Sequence, residues 1–344
     1  MSLFNVAQNR KPAFLLALIA SVLAFVVVGL GAFTRLSHAG LGCPDWPGCY
    51  GHVWAPDEGH EVDQANAAYP DMPVQLDKTW PEMVHRYFAG SLVVLTVAIL
   101  ILAIKHRHKP AQPLKLPIFI LAFILLQAAF GMWTVTLKLW PQVVTAHLLG
   151  GFTMLSLLWL LTLRLNNQGW QINDRDVGKV AGLRLWVVFG LIIAVMQITL
   201  GGWTTSNYAA LACPDFPTCH KQWLPDVDFA AGFNIFQHVG PNYLGGIMDN
   251  TARVAIHFMH RMGALITTVY ILVLAARMFA MGLVETRRMG RVLLVVLAVQ
   301  ISLGISNVVF GLPLAIAVAH NLTGAVLLLT FVTLNHRVFT AQPR

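Results

Sequence analysis

Charged residues are scarce in this 344-residue sequence: Lys, Arg, Asp and Glu make up 11% of it, against about 25% in a typical soluble domain. Hydrophobic residues make up 57%, and the mean hydropathy is +0.66. This composition excludes a soluble globular enzyme, a disordered protein and a coiled coil. The apolar residues fall in runs of about 20, and a helix of that length spans the roughly 30 Å hydrocarbon core of a bilayer. The sequence therefore predicts a polytopic membrane protein.

Eight apolar runs are long enough to be spans. Placing both termini on one side puts 16 of the 23 basic residues there, Lys109 among them, and leaves 12 of the 15 acidic residues on the other. An excess of Lys and Arg marks the cytoplasmic face. We therefore expect cytoplasmic termini and two long outer loops, about 35–82 and 204–251, and we interpret the net charge of +8 as a topology signal, not as nucleic-acid binding. The predicted spans are 12–34, 83–104, 115–137, 143–165, 184–203, 252–280, 291–311 and 313–335.

Two features of a targeting sequence are missing near the N-terminus. No small-residue cleavage site follows the first apolar run, and no Arg- and Ser-rich transit segment precedes it. Both are expected of cleaved leader segments. We therefore expect the first run to be retained as a membrane span. We place the protein in a bacterial plasma membrane, where its spans contact lipid.

An internal repeat divides the chain. Several motifs recur at offsets of 170 to 175 residues. Four helices per half is an even number, so both halves enter the membrane in the same orientation, related by an axis along the membrane normal. The prediction is an all-α membrane protein of two repeat-related four-helix bundles, 1–165 and 184–344, joined by a cytoplasmic linker, 166–183. The recurring residues are Gly31 and Gly201, Thr34 and Thr204, Cys43-Pro-Asp-Trp-Pro-Gly-Cys49 and Cys213-Pro-Asp-Phe-Pro-Thr-Cys219, His85-Arg86 and His260-Arg261, and Gln127-x-x-x-Gly131 with His147 and Gln300-x-x-x-Gly304 with His320.

Four of the 13 histidines stand at repeat-related positions within spans, near their outer ends: His85 and His147 in the first half, His260 and His320 in the second. Ionisable groups in a span usually face an interior partner. Zinc sites need three or four ligands, whereas each half offers two histidines at one depth. Haem needs only one or two axial ligands in an apolar slot between helices. The pattern predicts one haem site in each half.

An arginine follows the first histidine of each pair, as Arg86 and Arg261. A guanidinium pairs well with a carboxylate, so both arginines are candidates for binding a haem propionate. The alternative is that their side chains extend to the membrane interface.

The two halves differ one helical turn before these histidines, where the first half has Glu82 and the second has His257. A carboxylate at the mouth of a haem pocket can handle protons or stabilise developing positive charge. We expect the first half to carry out chemistry and the second to hold a redox cofactor. For His257 we consider packing, tuning of electron transfer, or no role.

The four cysteines form two pairs in the outer loops, each with five residues between its partners. Oxidising conditions outside the plasma membrane favour the disulfides Cys43–Cys49 and Cys213–Cys219. Redox activity of the first pair and metal binding are the alternatives. The spacing is not C-x-x-C-H, so covalent c-type haem attachment is not supported.

Taken together, these residues resemble the haem A synthase family, in its bacterial form with cysteine pairs in two outer loops. The resemblance covers essentially the whole chain. Its departures are a long acidic insert at about 51–78, to which we assign no role, and Thr205 at the position that Arg35 has in the first half. The motifs that carry the resemblance are Thr34-Arg35-Leu36, the two cysteine motifs, Glu82-x-x-His85-Arg86, His147, His260-Arg261 and His320.

The resemblance implies an oxidoreductase that converts the C8 methyl of haem O to the formyl group of haem A through a hydroxylated intermediate, with oxygen from water. It implies that the substrate haem lies between His85 and His147, with Glu82 as the essential glutamate, and that His260 and His320 hold a low-spin haem b. The resemblance links the first cysteine pair to activity or haem handling. It implies that the second pair is mainly structural. Haem O synthase and an assembling terminal oxidase are the implied partners, and a homo-oligomeric state is left open.

Three other functions compete with this one. A b-type quinol cytochrome would hold two permanent haems and modify neither, which the difference between Glu82 and His257 disfavours. A transporter would place its ionisable residues at mid-membrane, whereas here they gather near one face. A quinone-linked thiol oxidoreductase would depend on Cys213 and Cys219 and tolerate loss of His147.

Overall fold

The computed structural model describes residues 10–108, 112–166 and 169–344. Parts of the predicted N-terminal segment, of the first basic loop with Lys109, and of the linker lie outside the described residues. The described part is almost entirely helical, as the composition predicts.

Eight long apolar helices are present in the described residues, and each is long and hydrophobic enough to cross a membrane. The predicted number of spans is confirmed, and the chain is a multi-pass membrane protein. The spanning helices are α1 (Lys11–Leu36), α3 (Leu76–Lys105), α4 (Lys115–Thr136), α5 (Pro141–Asn166), α7 (Arg184–Ser206), α9 (Asn250–Ala280), α10 (Val284–Val309) and α11 (Leu314–Phe339). The shorter elements are α2 (Gly59–Ala68), α6 (Asp174–Ala181), α8 (Phe229–Gly232), β1 (Gln171–Ile172) and β2 (Gln342–Pro343).

Two spanning helices begin well before their predicted first residues. Helix α3 begins at Leu76 and α10 at Val284, whereas hydropathy placed these starts at 83 and 291. The first turns of both helices are polar, so the apolar run does not mark them. Because α3 starts early, Glu82 lies within a helix and not at the end of the loop predicted for 35–82. This is a correction to the sequence prediction.

The same neighbour relations between helices occur in each half. In the first half α1 packs against α3 and α5, and α4 packs against the same two helices; in the second half α7 and α10 pack in this way against α9 and α11. Helices α1, α5, α7 and α11 form the junction between the halves. The predicted repeat relation of two bundles stays a prediction, which these neighbour relations support.

Small residues allow α1 to approach its neighbours closely. Ala17, Ala20 and Ala24 lie three or four residues apart, and each is at most 2% exposed. Within membranes such stripes of small residues bring helix backbones into van der Waals contact. This stripe packs into the apolar cluster that α1 forms with α3 and α5.

The second outer loop reaches across to the first half. The Trp140 indole donates a hydrogen bond to the Gln237 carbonyl (3.1 Å), and the Gln142 amide donates one to the Ile235 carbonyl (2.8 Å). At the opposite end, β1 pairs in parallel with β2, so the predicted linker contacts the C-terminal tail. The loop contacts join the two halves at one end of the bundle, and the strand pair attaches the linker to the second half at the other.

Candidate functional site

The structure brings the two histidines of the first half together between α3 and α5. The ring centroids of His85 and His147 lie 6.4 Å apart, with the ring planes at 89°. Two metal–nitrogen bonds of about 2 Å, with half an imidazole ring on each side, would separate the centroids by about 6 Å. The pair is therefore spaced to hold one metal ion between two imidazoles.

The second half has His260 on α9 and His320 on α11, the helices that pack as α3 and α5 do in the first half. The Gln197 amide lies 3.2 Å from Nδ1 of His260 and donates a hydrogen bond to its backbone carbonyl (3.0 Å). The Gln300 amide lies 3.4 Å from Nε2 of His320. A metal bound at that nitrogen would replace the amide contact.

A glycine on the neighbouring helix faces each of the four imidazoles. A Cβ atom built on any of these glycines would lie 3.0 to 3.4 Å from Cε1 of the ring. Contacts this close are tighter than a packed side chain normally makes, so these positions accommodate the rings because they lack a Cβ. We call these four residues the ring-facing glycines: Gly31 for His85, Gly131 for His147, Gly201 for His260 and Gly304 for His320.

Three of the four rings also have a buried Nδ1 atom that makes no hydrogen bond of standard geometry: those of His85, His147 and His320. Each of these rings lies next to backbone of an adjacent helix. Metal-binding histidines commonly orient their second nitrogen toward a backbone carbonyl in this way.

No group of three or more His, Cys, Asp or Glu side chains that could hold a metal ion occurs in the part of the chain that the structure describes. Zinc sites of the usual kind need such a group. The two histidine pairs instead fit a group that brings four metal ligands of its own and needs two axial ones, as haem does.

Glu82 lies one turn outward from His85 on α3 and is 5% exposed. Its Oε1 lies 2.5 Å from Nη2 of Arg86, and its Oε2 accepts a hydrogen bond from the backbone N–H of Cys43 (3.1 Å). The first disulfide loop and Arg86 therefore hold the carboxylate in one orientation.

Arg86 and Arg261 bind backbone carbonyls of the disulfide loops. Arg86 Nη1 donates to Asp45 (3.0 Å) and Gly48 (2.5 Å), and Arg261 Nη1 donates to Asp215 (2.8 Å). These contacts occupy much of each guanidinium, so both arginines attach a loop to its helix. Their predicted role at a propionate is not tested by these contacts and stays a prediction.

His257 occupies the place of Glu82 in the second half. Its Nδ1 accepts a hydrogen bond from the backbone N–H of Cys213 (3.2 Å), and its Nε2 lies 3.3 Å from Nε of Arg261. The side chain is 5% exposed. Of the roles considered for His257, these contacts favour packing, because the imidazole anchors the second disulfide loop.

Both predicted disulfides, Cys43–Cys49 and Cys213–Cys219, are present. Within the first loop, the Asp45 carboxylate accepts hydrogen bonds from the backbone N–H groups of two residues beyond Cys49. Asp215 does the same in the second loop. Hydrogen bonds from the Thr218 hydroxyl and from backbone N–H groups lower the pKa of Asp215 to about 2. Its carboxylate therefore stays ionised at physiological pH.

A family comparison extends these observations. The model of the cytochrome oxidase assembly protein family, COX15-CtaA, matches residues 14–332. The chain belongs to this family. The matched range includes both histidine pairs, both disulfides and Glu82, and it confirms the membership that the motifs predicted.

Several curated relatives carry the name heme A synthase. The heme A synthase of Shewanella oneidensis is 48% identical over 318 residues, covering 92% of this chain and 94% of that protein. That of Rhizorhabdus wittichii is 28% identical over 337 residues, covering 93% and 92%. That of Paracoccus denitrificans is 26% identical over 333 residues, covering 90% and 83%. The similarity to these members of the cytochrome oxidase assembly protein family thus extends over nearly the full chain.

Sequence reasoning missed part of the site. It used Gly31 and Gly201 only as markers of the repeat, and it did not include Gln197, which contacts His260. A signal was present, because Gln197-x-x-x-Gly201 repeats the spacing of Gln127 and Gly131. The hydrogen bond from Cys43 to Glu82 had no such signal, since it depends on how the loop folds back.

Proposed function

We propose that this chain is a haem A synthase, which oxidises the C8 methyl of haem O to the formyl group of haem A. The observation that carries the proposal is the spacing of the His85 and His147 rings, 6.4 Å between centroids, beside a buried carboxylate. The names of the curated relatives point to the same activity.

In this proposal the first half binds haem O as substrate, with His85 and His147 as the axial residues. Conversion of the methyl to a hydroxymethyl group removes two electrons and adds oxygen from water, and conversion to the formyl group removes two more. Loss of electrons from a methyl carbon on the ring leaves positive charge at that carbon. In the proposed reaction, the Glu82 carboxylate would stabilise this charge or take a proton from the attacking water.

The second half would hold haem b between His260 and His320. A bound haem b supplies one-electron redox chemistry, by which electrons can leave the substrate. The Gln197 amide nitrogen lies 3.2 Å from Nδ1 of His260 and also donates a hydrogen bond to the His260 carbonyl, so Gln197 restrains the position of this residue. The first half has Glu82 where the second half has His257, and this difference supports a reaction site in the first half and a redox cofactor in the second.

We further propose a bacterial plasma-membrane location, with cytoplasmic termini and with both disulfide loops outside. The disulfides support an oxidising exterior for the loops. The basic residues gather at the opposite end, as expected of the cytoplasmic face. Haem O synthase and a terminal oxidase under assembly are the partners that this function requires.

Pigment analysis tests the function directly. The purified protein, co-expressed with a source of haem O, should contain haem A or its hydroxylated precursor together with haem B. If the purified protein contains haem B alone despite a supply of haem O, the result favours the b-type cytochrome instead. The same expression without haem O is the control, and it should yield haem B only.

The ring-facing glycines give a second test. The Gly304→Val variant should displace the His320 ring, because even a Cβ atom would lie 3.0 Å from Cε1. We expect a cost of about 1–3 kcal/mol in stability and loss of most of the low-spin haem signal. The matched control is Gly90→Val on α3, where a Cβ meets nothing within 4 Å. Equal haem signals in both variants would contradict the assignment of His320.

A further inference from the structure

Arg35 is a cation for which the structure provides no anion. Its Nη2 donates hydrogen bonds to the Thr205 carbonyl (2.6 Å) and the Ser206 carbonyl (3.4 Å), and its guanidinium lies 4.1 Å from the centroid of the Tyr208 ring. No ion pair of Arg35 with a carboxylate is found among the described residues. Buried charges are normally paired, so the site lacks a negatively charged partner.

Unsatisfied polar atoms mark the same place. The Nε atom of Arg35 and the hydroxyl of Tyr208 are both buried, and neither makes a hydrogen bond of standard geometry within the described part of the chain, although the two side chains lie against each other. Buried donors without partners are rare in folded proteins, because each costs the free energy of its lost hydration. A ligand with acceptor oxygens would satisfy the guanidinium and the hydroxyl together.

The position of Arg35 relates it to the first histidine pair. Gly31 faces the His85 ring, and Arg35 follows four residues later on α1, so both lie on similar faces of this helix, one turn apart. Arg35 therefore follows the glycine that faces His85 by one helical turn, and its guanidinium extends from there to the end of α7. At the matching position of the second half stands Thr205, which has no charge.

We propose that Arg35 binds a propionate carboxylate of the porphyrin in the first half. The inference rests on the proposed function, and it assigns this task to a residue other than Arg86, whose guanidinium is occupied by loop carbonyls and Glu82. A carboxylate bound by Arg35 would orient the propionate edge of the porphyrin toward the end of α1.

Porphyrin binding tests the proposal without turnover. The purified full chain is titrated with iron protoporphyrin IX and with its dimethyl ester, in which both carboxylates are blocked. First-half binding is defined as the part of the Soret change that His85→Ala removes. For this first-half binding, Arg35→Gln should weaken binding of the free acid by about 10-fold to 100-fold and leave binding of the diester unchanged. Arg35→Lys should retain part of the preference for the free acid over the diester.

A matched control is Arg277→Gln, because Arg277 also stacks on an aromatic ring, that of Trp186 (5.0 Å), but lies at the other end of the bundle. This variant should bind both probes as the unmodified chain does. Equal weakening of acid and diester by Arg35→Gln would assign Arg35 to packing between the halves and overturn the proposal. Unchanged binding of both probes would also overturn it, while leaving the proposed function intact. Binding that His85→Ala does not reduce would instead refute the first-half porphyrin site itself.

Discussion

Replacing Glu82 with Gln should abolish formation of haem A while leaving the second-half haem in place. The Gln amide has nearly the same size and can still accept the hydrogen bond from Cys43, so the loop contact is retained. The negative charge is lost, and with it the stabilisation of positive charge or the transfer of a proton. Such a group typically contributes about 10²-fold to 10⁴-fold to a rate. Chromatography of the extracted pigments measures the result.

Two comparisons separate chemistry from folding in this experiment. The visible spectrum should show the low-spin haem of the Glu82→Gln variant at the level of the unmodified chain. Asp77→Asn, at an exposed acidic residue near the start of the same helix, should form haem A normally. If Glu82→Gln yields product at the level of Asp77→Asn, Glu82 takes no part in the reaction.

The spans and the histidine pairs could be predicted because the signals that specify them are local or periodic. The apolar runs follow from the thickness of the bilayer, and the repeat aligns His85 with His260 and His147 with His320. The two repeat-related histidines within the spans of each half predict a group that needs two axial ligands, and the presence of such a group stays a prediction.

The contacts of the loops could not be predicted in this way. The guanidinium of Arg86 donates hydrogen bonds to carbonyls of the first disulfide loop, because that loop folds back onto α3. The sequence did not indicate this contact, and the predicted role of Arg86 at a propionate stays a prediction. Carbonyl positions depend on the local backbone conformation, which no residue pattern reports. Arg35 is similar, since its partners on α7 and at Tyr208 depend on how the halves pack.

Each copy of the repeat therefore has two functions, and the sequence alone does not show which residues serve which function. One function is to place two imidazoles in each half, and the other is to attach a disulfide loop above them. In the second half, His257 and Arg261 perform the attachment through Cys213 and Asp215. In the first half, Glu82 accepts the corresponding hydrogen bond from Cys43, so the residue that anchors the loop is also the candidate catalytic carboxylate.

Replacing His260 with Ala should remove the low-spin haem of the second half, and with it the formation of haem A. An axial nitrogen ligand would be lost, and the Gln197 amide would be left without its ring partner. His257→Ala is the matched control, because His257 lies one turn away on the same helix, α9, and contacts Cys213. We expect His257→Ala to keep the low-spin spectrum and to loosen the second disulfide loop. A normal spectrum in His260→Ala would exclude His260 as an axial ligand, and loss of the haem in His257→Ala alone would reassign that ligand to His257.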